Sequence, residues 1–255
     1  MINLIKINVI NSAFLWLVIM SCNADEPTLA QKLCDQYQNI KTITCEIRKT
    51  TKSSKLTTRM LSRVFYKNPD HIHVDIISPL KRTIIADGKN LYHHNEGASK
   101  GFSRPISELD ETWLASLKNI PGTPMEHLLR LRNTPETSIP STEEFPVRKG
   151  FQKENLFAVL SCDNLGRLIS IEFFKSSDMK EKTGIYTYSE FTKIDDDCYV
   201  PCLHKGVLFM PDGEEVSETR VITNFEANKP IPDKMFDPSL FFKNIEFTGD
   251  FVESL

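Results

Sequence analysis

No stretch of this chain is both long and apolar enough to cross a bilayer as a helix. The longest apolar run, residues 9–20, is twelve residues broken by Asn11 and Ser12, whereas a helical span takes ~20. Behind Lys6, a run of that length suits a secretory signal. The chain also lacks a His-Glu-x-x-His helix and a phosphate-cradling glycine-rich loop. No nucleophile–base set is assigned, so the reading is non-enzymatic, without catalytic residues, cofactor or metal. Basic residues are not in excess: 31 Lys and Arg stand against 34 Asp and Glu, dispersed along the chain. That excludes a nucleic-acid surface. The cysteine spacings make no zinc set, and no repeat of solenoid period is visible.

What is present is strand rhythm. Residues 61–92 pack three short apolar runs between Asn68-Pro69, Ser78-Pro79 and Asp87-Gly88, which predicts antiparallel strands joined by tight turns. Ile72, Val74 and Ile76 alternate with His71, His73 and Asp75, so one strand face is apolar and the other polar and solvated. The Asp87-Gly88 pair predicts a hairpin of type I′. At 40% apolar residues the chain can bury a sizeable core and is no disordered tether.

The order of these elements resembles the LolA/LolB-like family of periplasmic lipoprotein carriers. A helix (29–38) leads to a strand (42–50). The aromatic strand Val64-Phe65-Tyr66 then meets a Lys67-Asn68-Pro69 corner. A second proline follows at Ser78-Pro79, and then the Ile84-Ile85-Ala86-Asp87-Gly88-Lys89-Asn90-Leu91-Tyr92 hairpin. Asn228 to Phe236, NKPIPDKMF, resembles the closing segment of longer members. In the carriers an arginine precedes the proline of the first corner and bears on lipoprotein hand-over. Asn68 stands there in this chain, a departure that concerns the transfer partner rather than the fold.

The apolar leader ends Ile19-Met20-Ser21-Cys22, which resembles a lipobox, with Cys22 as the acylated residue. The alternative is cleavage after Ala24. Either way the chain is expected to be exported. Two or three acyl chains on Cys22 would hold it firmly at a membrane, and Asn23 after the cysteine favours the outer one. The layout is then a signal over 1–22 and a single domain over 23–255. Beyond Cys22, five cysteines remain. Cys34 with Cys45 flanks a helix-to-strand corner, and Cys198 with Cys202 would need a bulge to come within ~7 Å. Pairing of either set and free buried thiols both stay open.

Thr28 with Gln31 forms a capping box for the first helix, whose apolar stripe is Leu29, Leu33, Tyr37 and Ile40. Strands are expected over 41–52, 56–67, 71–77, 82–86 and 89–94. Residues 106–132 then read as a helical insert, and 135–146 as a polar connector. Strands resume over 147–153, 155–162, 167–175, 184–193, 199–210 and 214–227, and a proline-rich tail packs after 230. The expected class is mainly β with helices: a curled antiparallel sheet, or half-open β-barrel, of about eleven strands. The N-terminal helix and the helical lid insert cover it.

In the resembled family such an interior holds acyl chains. Each buried methylene contributes ~0.8 kcal/mol, so no directional contact is needed. The candidate cavity residues are Ile43, Ile47, Ile72, Val74, Ile76 and Ile84 from the sheet, with Trp113, Leu114, Leu117, Leu128 and Leu129 from the lid. The plain alternative is that they form a solid core. The histidines at 71, 73, 93 and 94 read as a solvated face rather than metal ligands, and the Asp195-Asp196-Asp197 run as a solvated turn. The expected partner is an acylated ligand, phospholipid or lipoprotein, with a donor or acceptor of the sorting pathway; nucleic acid is not. Two rival readings are kept: an envelope-stress sensor that binds a partner protein, for which the tail from 230 looks short, and a structural envelope lipoprotein with a filled core.

Overall fold

The computed structural model describes residues 26–110, 114, 117 and 119–249. Its first element, α1 (Leu29–Gln38), is fixed by the residues just before it. Thr28 Oγ1 accepts from the Gln31 amide at 3.3 Å, and Gln31 Oε1 accepts from the Thr28 amide at 2.7 Å. The stripe of Ala30, Leu33, Cys34 and Tyr37 is buried.

All strands among the described residues belong to one sheet that does not close into a barrel. A first meander runs through β1 (Thr42–Lys52), β2 (Thr57–Lys67), β3 (His71–Ser78), β4 (Arg82–Asp87), β5 (Asn90–Asn95) and β6 (Lys100–Pro105). A second comprises β7 (Glu136–Ser138), β8 (Val147–Lys153), β9 (Leu156–Cys162), β10 (Leu168–Phe174), β11 (Lys182–Lys193), β12 (Tyr199–Phe209) and β13 (Glu215–Ala227). Antiparallel pairing of β1 with β13 joins the two. A last strand, β14 (Glu246–Thr248), lies parallel to β6 and ends the sheet. Between the meanders come a 3-10 turn, Ile106–Glu108, and α2 (Met125–Leu131). Leu114 and Leu117 are helical, while Trp113 and the Cys22 leader lie outside the described residues.

Among the described residues fourteen strands stand where about eleven were expected. The additional ones are β6, β7 and β14. Two of them have three residues each, too short to show alternation. β6 begins Lys100-Gly101, and Gly101 is there for clearance: a Cβ on it would come 2.6 Å from the Phe247 ring of β14. The 87–90 hairpin also differs from expectation. Positive φ falls on Gly88 (85°) and not on Asp87, the pattern of type II′ with glycine first. Asp87 Oδ1 instead accepts from the amides of Lys89 and Asn90.

The main core lies between the concave sheet face and the two helices. Leu33, Tyr37, Leu128 and Leu131 meet Ile43, Val64, Leu160, Ile171 and Val200 there. A second, smaller cluster sits over β4–β6, where Leu109 packs with Ala86, Leu91 and Phe102. The convex face of β3–β6 is not solvated as expected. The tail over 230–249 crosses it and buries His73 completely. The His73 ring packs against Phe241 at 4.4 Å between centroids, and Phe236 lies edge-on to His71 at 5.5 Å. Strand alternation reports which residues share a face; it does not report what a distant segment lays over that face.

Candidate functional site

Cross-strand register sorts the concave face of β3–β5 into three rows. Ile72, Ala86 and Leu91 are opposite one another; Val74, Ile84 and His93 form the next row; Ile76, Arg82 and Asn95 form the third. The surface thus grades from wholly apolar to polar along the strands, toward the β3–β4 turn. From the first row to the third is two side-chain repeats, ~13 Å. At the polar end Leu80 stands 69% exposed at the tip of the turn, beside Lys81. At the same end of the strands an open groove of about 430 Å³ lies mainly on the convex side, where Arg63, Asp75, Thr83, His94 and Phe241 border it, and it reaches Ile76 and Arg82 at the strand ends.

The candidate cavity residues fall into two groups. Ile43 and Leu128 are fully buried in the main core, and Ile47, Val74 and Leu129 pack against it half-buried. Ile72, Ile84, Leu114 and Leu117 pack, also half-buried, around the second cluster. Ile76 borders the groove with Arg82. The structure therefore brings Ile72, Ile84, Leu114 and Leu117 together, and separates them from the filled region beneath α1 and α2.

Sequence reasoning passed over the charged residues of the concave face. On β13, Arg220 bonds through both terminal nitrogens to Glu126 Oε2 of α2 at 3.2 Å, and through Nε to Glu218. Lys49 of β1 reaches Glu218 at 2.5 Å. This chain of charges fastens α2 to the sheet. Beside it the His127 ring lies tilted against Tyr186, and Tyr188 meets His204 edge-on. Burial pushes both imidazoles down to about 4, so both are neutral at pH 7. A signal for Arg82 was available: it precedes Ile84 and Ala86 at the same parity and so shares their face.

At the other end of the strands, Asn68 closes the first proline corner onto α1. Its amide donates to the carbonyls of Gln38 (3.0 Å) and Ile40 (3.4 Å). A groove of about 620 Å³ beside it is bordered by Tyr66, Ile120, Leu129 and Arg132.

Among the described residues no group of three or more metal-capable side chains comes together, and no helix is long and apolar enough to span a membrane. The five cysteines Cys34, Cys45, Cys162, Cys198 and Cys202 are free thiols. The string Gly97-Ala98-Ser99-Lys100-Gly101 has Gly-x-Ser-x-Gly spacing. It joins strand β5 to strand β6, not a strand to a helix, and so lacks the elbow that activates such a serine.

No family model matches the chain, and no curated protein matches it in sequence. Solved structures share its fold. A DUF1329 family protein from Desulfovibrio piger is 10% identical with a TM-score of 0.56, over 84% of this chain and 96% of that one. A Vibrio parahaemolyticus domain, described as belonging to an outer membrane lipoprotein-sorting protein, is 10% identical with a TM-score of 0.52, over 83% and 96%. A LolA superfamily protein from Nitrosomonas europaea aligns over 82% and 97%, at 13% identity and a TM-score of 0.47. At such identities the likeness is one of fold. The lipoprotein-sorting fold implied by residues 42–92 is, through the Vibrio domain, among the folds this chain resembles.

Proposed function

We propose that the protein is a non-enzymatic carrier or acceptor of acylated ligands in the periplasm, held at the outer membrane if Cys22 is acylated. It binds the acyl chains of a lipid or lipoprotein over β3–β6, beneath the insert at Leu114 and Leu117. One observation carries this reading. Ile72, Ile84, Leu114 and Leu117 meet, half-buried, around a cluster separate from the larger core under α1 and α2. Apolar surface that a lid covers incompletely gains ~0.8 kcal/mol for each methylene a ligand buries there. Exposed Leu80 at the polar end supplies an apolar contact where a chain would enter. Lid movement over this cluster would admit and release the ligand.

The test is native mass spectrometry of the exported protein purified without detergent, paired with Ile84→Glu, a charge placed in the second cluster. The expected result is bound phospholipid or acylated peptide in the parent and none in the folded variant. Uptake unchanged by the buried charge would refute the site. A single bare mass that takes up no added lipid would leave the filled-core reading, which the larger core under α1 and α2 favours.

A further inference from the structure

Resting on the proposed acyl site, we infer that the ligand carries a phosphate beside its acyl chains and that Arg82 receives it. Three observations converge on this residue. First, register places Arg82 on the same face as Ile84 and Ala86, two and four residues along β4, opposite Ile76 and Asn95. A ligand lying along the strands would set its chains on the Ile72–Ala86–Leu91 row and its head at Arg82, ~13 Å away. Second, Arg82 Nε is buried with no hydrogen-bond partner. A buried donor left unmade costs free energy, and a guanidinium cannot shed its charge to avoid it. Third, among the described residues Arg82 forms no ion pair, whereas its neighbour Lys81 is held by Glu96 at 3.4 Å. A phosphate matches this unpaired charge, because guanidinium groups bind phosphate through paired, charge-assisted bonds. A neutral diacylglyceryl head offers no such partner.

Calorimetry with dioctanoyl phosphatidic acid, dioctanoylglycerol and glycerol 3-phosphate separates the sources of binding. The expected result is phosphatidic acid bound about tenfold tighter than dioctanoylglycerol, equivalent to about 1.4 kcal/mol, with glycerol 3-phosphate alone not competing. Arg82→Gln should abolish that preference and leave dioctanoylglycerol binding intact, while Arg82→Lys keeps most of it. Equal binding of the two lipids by the parent protein would overturn the inference even if Arg82→Gln does not fold. So would an undiminished preference in a folded Arg82→Gln, or tight binding of glycerol 3-phosphate alone. If neither lipid binds, it is the acyl site itself that fails.

Discussion

The Nδ1 atom of His73 lies 2.8 Å from the carbonyl oxygen of Met235, 162 residues further along the chain. The other ring nitrogen, Nε2, lies 3.1 Å from Asp75 Oδ1, which also accepts from Thr83 Oγ1 at 3.0 Å. Both ring nitrogens thus face oxygen atoms, a backbone carbonyl on one side and a carboxylate on the other. This pair of contacts joins the C-terminal tail to the convex face of β3.

His73→Ala should therefore free the tail. Losing hydrogen bonds to a charged group and a buried ring costs about 2–3 kcal/mol. Hydrogen exchange over 233–248 should quicken more than in the rest of the sheet. Uniform exchange across the chain would mean that the tail is held by its aromatic contacts alone. The His73 hydrogen bond holds the Asp75 carboxyl below the usual carboxylate range. A depressed acid contributes stability above its unfolded value, ~3.9, and loses it as pH falls through the folded one. Tail release should thus appear below about pH 4.

A second pH dependence sits at higher pH. His127 and His204 are pushed from 6.5 down to about 4, first by burial and then by Arg220, with Glu126 and, at His127, Glu218 opposing and Arg130 adding. Above pH 6.5 neither state of the chain protonates these rings. Between 6.5 and about 4 the unfolded chain binds protons that the folded one refuses, so stability falls as pH falls. The slope is at most about 1.4 kcal/mol per pH unit for each histidine. Urea midpoints at pH 7, 6 and 5 measure it, and His127→Phe should reduce the slope by about half. An unchanged slope in that variant would show that His127 is solvated.

What could be read from the sequence was the part set by near neighbours. The Thr28–Gln31 box, the ends of α1 and most strands of both meanders follow from local patterns, and so does the half-open sheet under helices. The three missed strands are short, or begin at a glycine whose need appears only when Phe247 is beside it. The burial of His73 depends on Met235 and Phe241, and the fastening of α2 on a Glu126–Arg220 pair 94 residues apart. A concave apolar row is also ambiguous in sequence. Ile43 and Ile84 look alike there, yet one is core and the other borders a half-covered cluster.

Asn68 gives a direct test of the corner that departs from the resembled family. Its side chain donates to two carbonyls at the end of α1, and its amide to Lys41 at 2.8 Å. Asn68→Ala should cost about 1–2 kcal/mol by thermal unfolding, since the carbonyls lose their donor. Asn68→Asp should cost more at pH 7, because a carboxylate would face two acceptors. An aspartate variant as stable as the parent would mean that the amide makes no net contribution here.

The cysteines supply the last prediction. Cys34, Cys45, Cys162 and Cys198 are buried, and burial pushes Cys34 up to about 11 and the other three to about 12. The thiolate is the reactive species, so at pH 8 these four are poor nucleophiles as well as inaccessible ones. Cys202 is half-buried, with its sulfur 3.3 Å from Thr192 Oγ1. An aromatic disulfide reagent added to the native protein should modify Cys202 first, and the other four only as fast as the chain opens. In denaturant all five should titrate together. Fewer than five thiols in the denatured, exported protein would reveal a disulfide and contradict the free-thiol core. Several fast-reacting thiols in the native state would show instead that α1 lifts readily from the sheet, since Cys34 on α1 is buried only while the helix stays down.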